Sequence, residues 1–147
     1  MVHLDSLNTM RDLLRDCHVI AVVGLSPKED RPSYRVARYL LQAGFEIVPV
    51  NPGQQEILGR PCFPNLRSIP GPVDLVDVFR RAEETPPIAR DAVAIGARGL
   101  WLQQGIISPE AARIAREGGL AVVMDRCLMV EHQLAQGQVA TVQGTGG

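Results

Sequence analysis

An uninterrupted apolar run at residues 19–23, Val-Ile-Ala-Val-Val, closes on Gly24, crosses a polar stretch over 25–32 and meets a helix that opens at Ser33. A strand without polar alternation is buried on both faces, which happens in the interior of a parallel sheet covered by helices. Strand, glycine-led loop and helix start form the unit that holds phosphate groups in many α/β proteins. The first turn of such a helix presents unpaired N–H groups and the positive end of its dipole. This stretch confines the chain to an α/β architecture and predicts an anionic ligand at the loop.

The remaining residues repeat the same alternation. Leu7, Met10, Leu13 and Leu14 form a helical stripe, predicting a lead-in helix over 6–16 capped by Asp5 or Ser6. The helix from Ser33 turns Val36, Leu40 and Leu41 inward and is stopped by Gly44, after which 45–50 form a second strand. Residues 53–72, rich in Gly, Pro and Asn, predict an irregular connection with a short edge strand near Cys62. A third strand is expected over 73–79, then a helix with Pro86 and Pro87 in its first turn, then a fourth strand over 99–102. Ser108-Pro109-Glu110 is a strong helix start, Gly118-Gly119 ends that helix, and 120–124 form a fifth strand.

The expected fold is therefore a single α/β domain over 1–135, a Rossmann-like parallel five-stranded sheet in the order 3-2-1-4-5 with helices on both faces, followed by a weakly ordered tail over 136–147. In such a sheet the ligand lies outside the carboxyl ends of the strands, here where strands 1 and 4 diverge.

Composition removes several classes of function. A net charge of −1 leaves no general footprint for nucleic acid. The apolar runs are too short to span a bilayer, and the first residues lack a basic region followed by an apolar stretch, so a cytoplasmic location is expected. Cys17, Cys62 and Cys127 are three widely spaced cysteines, which predicts free thiols and no structural zinc. Asp74, Asp77 and Asp125 do not form paired metal ligands, and no metal site is expected.

Polar or glycine-bearing segments follow every strand: Gly24-Leu25-Ser26, Val50-Asn51-Pro52, Phe79-Arg80-Arg81, Gln103-Gln104-Gly105 and Asp125-Arg126-Cys127. A parallel sheet brings all five to one edge. A dinucleotide site would show G-x-G-x-x-G after the first strand and an acid at the end of the second. Here Gly24 is followed by Ser26, Pro27 and Lys28, and the second strand ends at Asn51, which disfavours NAD. Ser26, Lys28, Arg31 and Arg80 suit a ligand with several phosphates.

These same residues resemble the CoA-binding proteins, a family similar to the CoA-binding domain of the succinyl-CoA synthetase alpha subunit. The resemblance spans about residues 12–132 and is carried by IAVVGLS at 20–26, RPSYRVARYL at 31–40, IVPVNP at 47–52, ILGRPCFPNL at 57–66, VDLVDVFR at 73–80, GLWLQQGI at 99–106 and VVMDRC at 122–127. It implies coenzyme A, or an acyl-CoA, with its diphosphate on the loop Gly24, Leu25, Ser26, Pro27 and Lys28. The adenosine end is then expected near Val50, Asn51 and Pro52. The pantetheine arm is expected past Phe79, Arg80, Gln103, Gln104 and Gly105. The chain departs from the synthetase in two respects. The synthetase domain that bears its phosphorylated histidine has no counterpart here, so ligase activity is not implied. Its glycine-containing phosphate loop is replaced by Ser26-Pro27-Lys28-Glu29-Asp30.

No catalytic constellation is readable. His132 lies five residues after Cys127, but a short helix does not turn the two toward each other, and no oxyanion hole accompanies them. The expectation is a binding module without catalytic groups, acting as a carrier, a sensor or a partner of an acyl-CoA-using enzyme. Two alternatives stay open: an enzyme using NADP or another nucleotide, and a CoA-independent regulatory protein with Trp101, Arg80 and Arg81 in a partner interface.

Overall fold

All five expected strands form one parallel sheet: β1 (Val19–Val23), β2 (Glu46–Val50), β3 (Leu75–Val78), β4 (Gly99–Leu102) and β5 (Ala121–Val123). The structure, a computed structural model, describes residues 2–137, so residues 138–147 of the predicted tail lie outside the described residues. Five helices alternate with the strands: α1 (Val2–Asp16), α2 (Pro32–Gln42), α3 (Thr85–Ala94), α4 (Pro109–Glu117) and α5 (Leu128–Ala135). Helix α1 reaches back to Val2, so Asp5 and Ser6 are helical residues and not its cap. The start of α4 is as expected, with Pro109 in its first turn and Ser108 Oγ accepting the Ala111 N–H at 3.2 Å.

The strand order corrects the sequence reading. It is β2-β1-β3-β4-β5, that is 2-1-3-4-5 and not 3-2-1-4-5. Strand β1 pairs with β2 from Val19↔Glu46 to Val23↔Val50 and with β3 from Ile20↔Leu75 to Val23↔Val78. The cause lies in the connection after β2. Its buried Leu66 packs with Val76, Val78, Ala89 and Ala92, in the layer under α3 and α4. Helix α2 packs on the opposite face, with Val36 and Leu40 against Ile20, Val22 and Leu75. A right-handed crossover on the α3 face carries the chain back across β1. The outer edge of β2 is also occupied. Phe63 bridges to Val50, its N–H donating to Pro49 O at 3.0 Å and its carbonyl accepting from Asn51 N at 2.9 Å. That bridge is what appears where a short edge strand near Cys62 was expected. Before it, Glu56–Ile57 and Arg60–Pro61 pair as a small antiparallel hairpin.

Two consequences position the site. Asp74, just ahead of β3, accepts the N–H groups of both His18 and Val19 at 2.9 Å, fixing the starts of β3 and β1 side by side. The direction of winding therefore reverses between β1 and β3, so the crevice opens there and not between strands 1 and 4. Trp101 is completely buried in the α1–α2–α5 layer, with its Nε1 donating to Arg126 O at 2.9 Å, which removes it from any surface interface.

Candidate ligand site at the carboxyl edge of the sheet

Gly24 ends β1 with a φ of +87°, in the left-handed region that favours glycine. A Cβ there would stand 2.5 Å from Phe79 O and 2.8 Å from Arg80 Cδ, so the missing side chain is what lets the β1 and β3 ends close together. Leu25 turns inward and is fully buried, while its carbonyl accepts Asn51 Nδ2 at 2.9 Å. Ser26 N donates to Ser33 Oγ at 3.0 Å, and Lys28 N donates to Ser26 Oγ at 3.1 Å. The loop is thus fastened to β2 on one side and to α2 on the other. Arg31 occupies the N-cap position of α2 without a side-chain cap bond. Pro32 has no N–H, and the Tyr34 N–H is held by Arg31 O at 3.1 Å, so this helix start offers fewer donors than its dipole alone suggests.

Two clefts open on this edge, one on each side of Arg80. The smaller, about 230 Å³, is lined by Gly24, Val50, Pro52, Leu66, Arg80 and Glu84 among others, at the ends of β2, β1 and β3. The larger, about 870 Å³, runs past Val36 and Phe79 to Gln103, Gln104, Gly105 and Cys127, at the ends of β3, β4 and β5. Of the residues singled out from sequence, Gly24, Val50 and Pro52 line the smaller cleft, Phe79, Gln103, Gln104 and Gly105 the larger, and Arg80 both. Ser26, Pro27, Lys28 and Arg31 form the loop without lining either. Leu25 and Asn51 are loop fasteners: the amide oxygen of Asn51 takes the Gly53 N–H at 2.8 Å, so both ends of that side chain are occupied. Gln103 is largely buried and its Oε1 accepts the Leu128 N–H at 3.0 Å, satisfying a donor at the start of α5. Asp125, at a φ of +61°, accepts the Gly105 N–H at 2.7 Å, which makes it a loop cap.

Arg35, Met129 and Val130 also line the larger cleft and were not singled out from sequence. Arg35 lies one turn into α2 beyond Arg31 and Pro32, a spacing that places it on their side of the helix. Its Nη1 donates to Asp30 O at 2.8 Å.

The edge carries positive charge that is only partly neutralised. Arg80 Nε and Arg81 Nε each donate to Glu84 at 2.7 Å, one to each carboxylate oxygen. Those bonds, with Arg81 foremost, hold the Glu84 carboxyl below its ordinary value. Glu83 also lies 3.9 Å from Arg81 Nε, so these two guanidiniums face two carboxylates. Lys28 and Arg31 have no acidic partner within salt-bridge distance among the described residues. His132 is turned elsewhere. Its Nδ1 lies 2.6 Å from Tyr39 Oη, its ring stands edge-on to Phe45, and burial lowers its pKa. Among the described residues no group of three or more His, Cys, Asp or Glu side chains is arranged to hold a metal ion, and no helix is long and apolar enough to cross a membrane.

Taken together, fold and edge define a Rossmann-like α/β domain with a two-part cleft at its switch point. Residues 18–133 match the family model described as the CoA binding domain, and the chain belongs to that family. It is 40% identical to the Bacillus subtilis protein YneT over 127 residues, covering 86% of this chain and 94% of that one. A solved structure of a protein from Pyrococcus horikoshii superposes with a TM-score of 0.86 at 37% identity, over 89% of this chain and 92% of that one. The chain is also 27% identical over 128 residues to ADP-forming acetate–CoA ligase I of Archaeoglobus fulgidus, spanning 80% of this chain and only 19% of the ligase. The likeness to a CoA-binding domain drawn from IAVVGLS, PVNP and WLQQGI is thereby borne out.

Proposed function

We propose that this protein binds coenzyme A or one of its acyl thioesters along the carboxyl edge of the sheet, as a binding module without catalytic groups of its own. The observation that carries the reading is the pair of clefts meeting at Arg80. A CoA molecule has an adenosine end, a diphosphate and a long arm, and the edge offers a compartment for each in the right order. The adenosine lies in the smaller cleft against Val50, Pro52 and Leu66. The diphosphate lies at the junction, where Gly24 permits close approach and Arg80, Lys28 and Arg31 supply positive charge. The arm runs through the larger cleft past Phe79, Gln103 and Gly105. The acid that would bind a ribose hydroxyl of NAD is absent, and Asn51 in its place is committed to Leu25 and Gly53. A working partnership with an acyl-CoA-using enzyme fits the likeness to the ADP-forming acetate–CoA ligase.

Titration calorimetry of ligand-stripped protein against CoA, NADP and ATP tests the proposal. CoA binding that weakens at least several-fold on Arg80→Ala or Lys28→Ala supports it. Preference for NADP, or indifference to all three, overturns it.

A further inference from the structure

The larger cleft changes character along its length. Its charged lining residues, Arg35, Arg80, Arg81 and Glu83, come from α2 and from the segment after β3. Those at the β4 and β5 ends and on α5 bear no charge: Gln104 and Gly105 give way to Ile106, Cys127, Met129 and Val130. Val130 is 38% exposed, so the apolar end is open and uncovered.

The strand order sets what reaches that end. From the β1 end at Gly24 to the β5 end are three inter-strand steps through β3 and β4, a sweep of about 14 Å at the usual spacing. The pantetheine arm, with its two amides and short alkyl spacers, has about the length of four extended residues, again roughly 14 Å. An arm anchored by its diphosphate at Gly24 and Arg80 therefore brings its sulfur to Ile106, Cys127 and Met129. A free thiol there would leave Met129 and Val130 uncovered.

We infer that the β5 end of the larger cleft receives the acyl group of a thioester, so that the preferred ligand is an acyl-CoA with a short apolar chain. The inference rests on the CoA reading above and specifies its ligand class. A dicarboxylic acyl group is disfavoured, because Ile106, Cys127, Met129 and Val130 offer its outer carboxylate no charged partner of their own.

Calorimetry of the full chain in reducing buffer against CoA, acetyl-CoA, butyryl-CoA, hexanoyl-CoA and succinyl-CoA decides it. The expected result is affinity rising from CoA to butyryl-CoA by about two- to four-fold per added methylene, with succinyl-CoA binding more weakly than butyryl-CoA. Val130→Asp, an exposed position, is expected to weaken butyryl-CoA more than CoA and so to flatten the series. Binding of CoA as tight as or tighter than every acyl-CoA, or succinyl-CoA matching butyryl-CoA, overturns the acyl assignment and leaves the CoA reading standing. No binding of any CoA compound overturns both.

Discussion

The side-chain amide of Asn51, at the end of β2, donates to the carbonyl of Leu25 at 2.9 Å, tying the loop after β1 to the neighbouring strand. Its oxygen is held by the Gly53 N–H at 2.8 Å, so the amide cannot flip without losing both bonds. Asn51→Asp replaces the donor with a second acceptor facing the Leu25 carbonyl. The variant is expected to lose about 1–2 kcal/mol of stability and to bind CoA more weakly, because the loop is no longer fastened. It restores the acid typical of an NAD site, yet no NAD binding is expected. Urea unfolding and calorimetry with both cofactors check this, and NAD binding by the variant would contradict the fastening role.

Two glycines with nearly the same φ separate backbone conformation from crowding. Gly24 (φ +87°) has the Phe79 carbonyl 2.5 Å from a notional Cβ, whereas Gly105 (φ +88°) has nothing within 4 Å. Gly105→Ala should cost only the conformational term, about 1–3 kcal/mol. Gly24→Ala must also push β3 away from β1 and is expected to be clearly the less stable of the two in thermal unfolding. It should also reduce CoA affinity more than ten-fold, because the same displacement moves Arg80. Equal losses in the two variants would mean that β1 and β3 do not need this close approach.

Glu84 competes with any anionic ligand for the guanidiniums of Arg80 and Arg81. Glu84→Gln keeps the shape, removes the charge and loosens the hold on both arginines, with Glu83 still beside Arg81. CoA affinity is expected to rise several-fold at low salt and the salt dependence of binding to steepen. Titrations at two ionic strengths read this directly. Weaker binding in the variant would show that Glu84 instead orients Arg80 for the ligand.

The strands were legible because residues 19–23 and 99–102 are apolar without alternation, and 73–79 is apolar apart from Asp74 and Asp77, a pattern that fits strands covered on both faces. Their order was not legible. An apolar run does not say on which side of β1 the next strand pairs. That is decided by Leu66 landing under α3, by Phe63 closing the β2 edge and by Asp74 pinning β3 to β1, all contacts between residues far apart in the chain. The segments at the carboxyl edge of the sheet were legible as a set and less so residue by residue. A polar segment after a strand looks the same whether its polar atoms face a ligand or, as in Asn51 and Gln103, satisfy a neighbouring backbone group. Met129 and Val130 went unnoticed because they arrive from α5, and the strand-end rule does not point to helices.

Asp77 makes the last prediction. It lies in β3 between Val22 of β1 and Trp101 of β4, wholly buried, and neither carboxylate oxygen has a hydrogen-bond partner among the described residues. Burial lifts its pKa well above the ordinary value and so favours the protonated form in the native chain. The unfolded chain releases that proton above about pH 3.9. Unfolding then releases a proton, and stability falls as pH rises, by about 1.4 kcal/mol per unit until pH reaches the native pKa. The titratable groups on the same layer act at other pH values. His132 on α5, its pKa lowered by burial, costs stability only as pH falls below its unfolded value of about 6.5. The Cys17 thiol at the end of α1, pushed up to about 11 by burial and then by Asp74, costs stability only once the unfolded thiol ionises, near pH 8.5. Tyr39 on α2, also raised by burial, matters higher still. Asp77→Asn keeps the volume and cannot titrate, so its stability relative to the unaltered chain is expected to climb as pH rises above the unfolded carboxyl's value of about 3.9. Urea unfolding of both chains at pH 5, 6.5 and 8 measures the difference. A difference that stays constant across that range would mean that Asp77 is ionised in the native protein and has found a partner.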